Sequence, residues 1–229
     1  MSEATPSKSV AVPAALSFVA GYVDTVGFVA LFGLFTAHVT GNFVLIGATL
    51  VRGGAGLLTK LLALPVFIVV VALTTAFVRA AERERRDRSI SLLAMQIALL
   101  GGFGAVGLWA EPIVAPDAPA AMIAGLLGVC AMAVQNAASR LLFTSMAPTT
   151  VMTGNVTQVV IDAVDLVGSG GADDAAMRTR IRKLWPSIVA FAAGALSGAF
   201  LLVQLGFSCL GLPMLALAFV MFRWHRTPA

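Results

Sequence analysis

The sequence predicts an all-α, polytopic helical membrane protein with six crossing helices plus two short half-length helices, arranged as an inverted 3+3 repeat. Three observations predict it. Apolar residues make up 59% of the 229 and charged residues 11%, against roughly 45–50% and about 25% in soluble domains. Six stretches are long enough to cross lipid. A Thr-Gly-Asn signature occurs twice, with similar hydropathy around each copy. The same composition excludes disorder, collagen, coiled coil and a secreted disulfide framework. Cys130 and Cys209 lie in apolar runs without metal or redox spacing and read as small buried hydrophobes. The net charge of +4 comes from arginines clustered beside apolar runs. That pattern marks membrane orientation rather than nucleic-acid binding.

A helix crossing a ~30 Å hydrocarbon core needs about 20 apolar residues. After a tail, residues 1–13, the first span is Ala14–Phe35. It is too long for a signal-peptide core and lacks a strongly charged start, so it counts as a span. The rest of the first half, residues 14–110, holds a short segment, Asn42–Val51, and spans at Leu57–Ala80 and Ile90–Ala110. A linker, residues 111–119, leads to the second half, residues 120–222. Its parts are a span at Ala120–Phe143, a short segment at Val156–Val167, and spans at Trp185–Leu205 and Phe207–Phe222, before a tail at 223–229. The last two spans form one apolar run that must fold back near Gly206 or Gly211-Leu212-Pro213, where the helix breakers lie. At 1.5 Å per residue the short segments reach about 15 and 18 Å, half a bilayer.

Arginine placement decides how to count them. If both short segments cross, the loop with Arg83, Arg85, Arg86 and Arg88 lies opposite Arg178, Arg180, Arg182 and Lys183, against the positive-inside rule. If neither crosses, both basic loops and the tail with Arg223 and Arg226 fall inside, with both termini cytoplasmic. Glu111, Asp117, Arg52 and Lys60 are then outside. Six crossings fit the charges; eight stay open, because polar neighbours such as Thr36–Gly41 can lengthen a short segment.

The chain repeats itself. Ala37-His38-Val39-Thr40-Gly41-Asn42-Phe43-Val44 reads against Thr150-Val151-Met152-Thr153-Gly154-Asn155-Val156-Thr157, an offset of 113 (Thr40 against Thr153). Upstream, Gly21-Tyr22-Val23-Asp24 reads against Ala133-Val134-Gln135-Asn136, an offset of 112 (Asp24 against Asn136). Three crossings per copy is odd, so the copies point in opposite directions. Inverted repeats of this kind occur in transporters, with the solute site between them near the midplane.

Ala20-Gly21-Tyr22-Val23-Asp24, His38-Val39-Thr40-Gly41-Asn42 and Pro148-Thr149-Thr150-Val151-Met152-Thr153-Gly154-Asn155-Val156-Thr157-Gln158 together resemble the YoaK family of bacterial inner-membrane proteins. The resemblance covers nearly the whole chain. It implies a six-span bacterial inner (cytoplasmic) membrane protein, assigned to a domain of unknown function, with no established substrate and a supposed transport role.

Asp24 is the sharpest single residue. A carboxylate within a span is costly unless paired, protonated or wet, so it should face the bundle interior, as a proton carrier or cation ligand. The structural alternative is a hydrogen bond to Gln135 or Asn136 in the other copy. Arg140, one turn on from Asn136, either approaches Asp24 or snorkels to the interface. Thr40-Gly41-Asn42 and Thr153-Gly154-Asn155 suit helix caps, Thr or Asn supplying the oxygen and Gly the close approach. If the short segments dip in and return, their N-terminal N–H groups line a cavity suited to an anion or polar solute. The alternative places both turns at the water interface. His38 either gates protons or is a structural residue, and Gln158 closes the second motif.

Gln96 and Gln204 suit interhelical hydrogen bonds, while Gly194-x-x-x-Gly198 and Gly101, Gly102, Gly104 and Gly107 suit close packing within the chain or in a homodimer. Asp162, Asp165, Asp173 and Asp174 read as a solvated face, not a metal site. No catalytic motif or cofactor signature occurs, so an enzyme is not expected. The expected function is a transporter or channel for a small polar or anionic solute, proton-coupled through Asp24. The alternative is a non-transporting scaffold or sensor acting through helix–helix contacts.

Overall fold

The computed structural model describes residues 10–84, 86–168 and 174–225. Arg85, Asp173, Arg226 and most of both tails lie outside the described residues. The regular structure of the described residues is all helical, with no strand among them. In order they form α1 (Ala11–Ala30), α2 (Gly41–Arg52), α3 (Leu57–Arg83), α4 (Ser89–Ala110), α5 (Pro119–Leu141), α6 (Met152–Gly168), α7 (Asp174–Leu205), a 3-10 turn (Gly206–Leu210) and α8 (Gly211–His225). Prolines sit where a missing N–H does little harm, Pro13, Pro119 and Pro213 all in first turns. Pro65 and Pro186 are internal and leave the carbonyls one turn before them without a helical donor.

Among the described residues, five helical stretches are long and apolar enough to cross a membrane. The fifth, Ala175–His225, has 51 residues and contains the break at Gly206, whose φ is 55°. The chain does fold back there. Tyr22 OH donates to the Cys209 carbonyl at 2.8 Å, while at the far end of α8 Trp224 Nε1 donates to Asp87 Oδ2 at the head of α4, and the Trp224 ring packs on Phe143 just beyond α5.

Burial sorts the helices. In α1 and α5, 67% and 61% of the most apolar window is buried, against 17% in α3, so α1 and α5 form the centre. Val44, Val51, Val164, Val167, Leu196 and Val203 stand exposed on the surrounding helices. So much bare apolar surface suits lipid rather than water, and the molecule is a helical, membrane-spanning protein.

The packing pairs α1 with α7 and α8, and α5 with α3 and α4; α4 meets α8, α1 touches α5, α2 leans on α3, and α6 leans on α7. Phe18 lies beside Gly194 and Tyr22 beside Gly198, so α1 and α7 run parallel. At Gly21, Gly194 and Gly198 the two backbones are too close for a β-carbon. The Gly-x-x-x-Gly stretch is therefore used inside the chain.

Several helices differ from their expected bounds: α6 starts at Met152 rather than Val156, and α8 at Gly211 rather than Phe207, after the 3-10 turn. The first helix ends at Ala30 rather than Phe35, because Phe32 (φ 55°) and Gly33 (φ 83°) take the left-handed conformation and turn the chain back. The span expected from Trp185 starts at Asp174, since Ala, Met, Arg and Lys are good helix formers and the helix continues past its apolar part.

Candidate functional site

The first polar cluster grows from that early turn. Residues 31–40 run back along α1, and Asp24, six residues before its end, meets them. Asp24 Oδ1 accepts from the backbone N–H groups of Thr36 (2.8 Å), Ala37 (2.7 Å) and His38 (3.3 Å), while Oδ2 lies 2.7 Å from His38 Nδ1. Asp24 is 5% exposed; the His38 side chain is 38% exposed and meets the Phe191 ring edge-on. Close packing is built in here too, as the Thr36 methyl lies against Gly27 and Gly128 with little room for a side chain at either.

Asn42 then clasps the loop. Its Oδ1 accepts from Phe35 N–H at 3.0 Å and its Nδ2 donates to the Phe35 carbonyl at 2.9 Å. This differs from the expected cap. Thr40 makes no side-chain cap, and the N–H groups of Gly41, Asn42 and Phe43 bond the carbonyls of His38, Val39 and Thr40 in a tight turn.

The second cluster is built alike from neutral groups. Asn155 Nδ2 donates to the Pro148 carbonyl at 2.8 Å, seven residues back, as Asn42 does to Phe35. Asn136 Nδ2 donates to Thr150 Oγ1 at 3.1 Å. Gln135 Nε2 donates to the Leu16 carbonyl (2.8 Å) and Thr149 Oγ1 (3.2 Å), and its Oε1 accepts from Gln96 Nε2 at 2.7 Å. Gln135 thus ties α5 to α1 and α4. The gap there, bounded by Leu16, Leu92, Gln96, Val134, Gln135 and Phe143, has no room for a water molecule. Polar access lies at His38 and the exposed Thr40, Thr153 and Gly154 instead.

Several expected pairings fall out differently. Asp24 bonds its own loop rather than Gln135 or Asn136, because the early turn brings three N–H groups within reach first. Arg140 is exposed, and so is Gln204. Gln158 sits one turn beyond the Asn155 clasp and donates to Asp162 Oδ1 at 2.9 Å. Asp162 is not solvated: its side chain is 1% exposed and accepts from Arg180 Nε (2.8 Å) and Nη2 (2.6 Å), joining α6 to α7. That guanidinium holds the Asp162 carboxyl below the usual carboxylate range. Opposite charges 18 residues apart gave no periodic signal that would pair them.

Lys60 was also missed. It is 4% exposed, and Nζ donates to the carbonyls of Phe32 (2.9 Å), Ala55 (3.3 Å) and Gly56 (3.4 Å), pinning the strained turn to the start of α3. Beside it Thr59 N–H and Oγ1 both donate to Asp117 Oδ1.

No curated protein and no solved structure matches the chain. The model of one family, described as a protein of unknown function, matches residues 12–223, in keeping with the YoaK resemblance. On that match the chain belongs to the DUF1275 family.

Proposed function

We propose that this protein is a transporter for a small polar or anionic solute, built from two inverted halves and proton-coupled through Asp24 and its partner His38. The observation that carries the reading is the duplicated clasp: Asn42 on Phe35 and Asn155 on Pro148, each near the start of a helix shorter than the long apolar spans. The packing supports it. Exchanging α1 with α5, α2 with α6, α3 with α7 and α4 with α8 turns the contact α1–α7 into α5–α3, α2–α3 into α6–α7, and α4–α5 into α8–α1. Each half then contributes three crossings, with a re-entrant half-helix after the first. The 51-residue fifth stretch would hold two of the six crossings.

Direction is supported by the ends. The turn from α2 into α3 lies by Phe32 and Asp117, next to the α4–α5 linker, while the outer half of α6 is tied to the start of α7 through Arg180. Those are opposite ends of the bundle, as inversion requires. The end with Arg88, Arg140, Arg180, Lys183 and Arg223 would face the cytoplasm of a bacterium, across its inner membrane, with both termini. Broken helices beside paired polar turns are where transporters hold solutes. Asp24, His38, Thr40, Gly41 and Asn42 from one half, and Gln135, Asn136, Thr153, Gly154, Asn155 and Gln158 from the other, are the residues proposed to serve translocation. No catalysis is proposed.

The dry gap at Gln135 favours a carrier that must rearrange over an open channel. It also favours one rival, a scaffold or sensor whose centre never opens. Flux decides. In reconstituted vesicles under a pH gradient, a panel of anions, sugars and amino acids should include one that moves, and D24N and N155A should abolish or strongly slow it. Normal flux in both variants removes the proposed site; no flux from folded protein across the panel favours the scaffold.

A further inference from the structure

Outside the clasps, the first turns of α7 carry an open groove of ≈ 470 Å³ lined by Ala175, Ala176, Thr179, Arg180 and Lys183. We propose that this groove seats the phosphodiester headgroup of an anionic phospholipid. Its charge is specific. Arg180 commits Nε and Nη2 to Asp162 yet keeps a side chain 48% exposed, leaving Nη1 for a second acceptor. Lys183 and Arg182 are exposed and make no ion pair among the described residues. Asp162 and Asp165 on α6 offset Arg180, so the net attraction comes from Lys183 in the groove and from Arg182 beside it. Thr179 is not a donor here, since its hydroxyl already bonds the Ala175 carbonyl at 2.7 Å.

The surroundings select a lipid over a free anion. Trp185, 55% exposed, lies just beyond Lys183, the place indoles take at the headgroup level. Ala175, Thr179, Arg182, Val189, Leu196 and Phe200 fall along one stripe of the helix. Its last three residues are bare apolar surface for acyl chains. Ala175 and Thr179 belong to both groove and stripe, so the tails would lie beside the headgroup, about a quarter turn round the helix.

The test uses the full chain in mild detergent, with bound molecules counted by native mass spectrometry. Short-chain phosphatidylglycerol, phosphatidylcholine of equal length and inorganic phosphate are compared. Phosphatidylglycerol should be retained about fivefold or more over phosphatidylcholine and resist displacement by phosphate. K183Q and R182Q should each cut that retention about fivefold, as expected of one cation near an anionic surface. K183R should restore it, and R52Q on α2 should leave it unchanged. Equal retention of the two lipids, an equal loss in R52Q, or displacement by phosphate would each overturn the proposal.

Discussion

A single carboxylate oxygen, Asp24 Oδ1, organises the first loop by accepting from three consecutive backbone N–H groups. An unmet buried donor costs about 1–3 kcal/mol, so the chemistry of the replacement matters more than its size. D24A should lower the melting temperature in detergent by several degrees. D24N, which keeps an acceptor oxygen, should stay close to wild type while losing the proposed proton carrier. Equal melting of D24A and wild type would show that the loop does not depend on these bonds. The same reasoning ranks the clasps. N42A strands both the N–H and the carbonyl of Phe35, whereas N155A strands one carbonyl, so N42A should be the more destabilising, with N155A costing about 1–3 kcal/mol. Denaturant midpoints in the opposite order would contradict this. Asp162 gives a pH signature. Its folded pKa is depressed, so the stability contributed by its pair with Arg180 is present above the ordinary value of about 3.9 and lost as pH falls through the lowered one. The Asp162 contribution should be flat near neutrality and drop only in acid, and D162N should lower stability at neutral pH and flatten that acid limb.

At the scale of elements, the α1–α7 seam rests on backbone contact. G21A or G194A forces a methyl group against the opposite carbonyl and should cost about 1–3 kcal/mol. G47A on α2 meets open space and should be neutral or stabilising by roughly 0.5–1 kcal/mol, the usual helix gain over glycine. Thermal melts of the three variants check both signs. Hydropathy made most elements legible, because lipid demands long apolar helices whatever their neighbours. The short helix α2 and the break at Gly206 were readable from length and helix breakers, whereas α6, at 17 residues, outruns the 12 expected. The early end of α1 was not, since it depends on left-handed Phe32, a conformation held by Lys60 some 28 positions away. Nor was the start of α7, where helix outruns hydrophobicity. In the site, the matching asparagines could be read from spacing. Their actual use could not: a clasp on a carbonyl seven residues back looks like a cap until the loop's path is known. The partners of Asp24 and Asp162 were hidden for the same reason.

For the whole molecule, the proposed inversion ties the two half-length helices to opposite sides of the membrane. The set of α-helix pairs is unchanged by the proposed exchange of halves, while the charges are not. The first half keeps its acid at the loop, as Asp24 with His38; the second keeps one between α6 and α7, as Asp162 with Arg180. A carrier in which only one half holds a titratable loop would couple protons at one gate. The most direct measurement is the sidedness of Val51 and Val167, both highly exposed near the ends of α2 and α6. With Cys130 and Cys209 replaced, V51C and V167C are treated with an impermeant maleimide, before and after permeabilisation. The inverted arrangement predicts that V51C reacts in intact cells and V167C only once the membrane is opened. Reaction of both from the same side would contradict it.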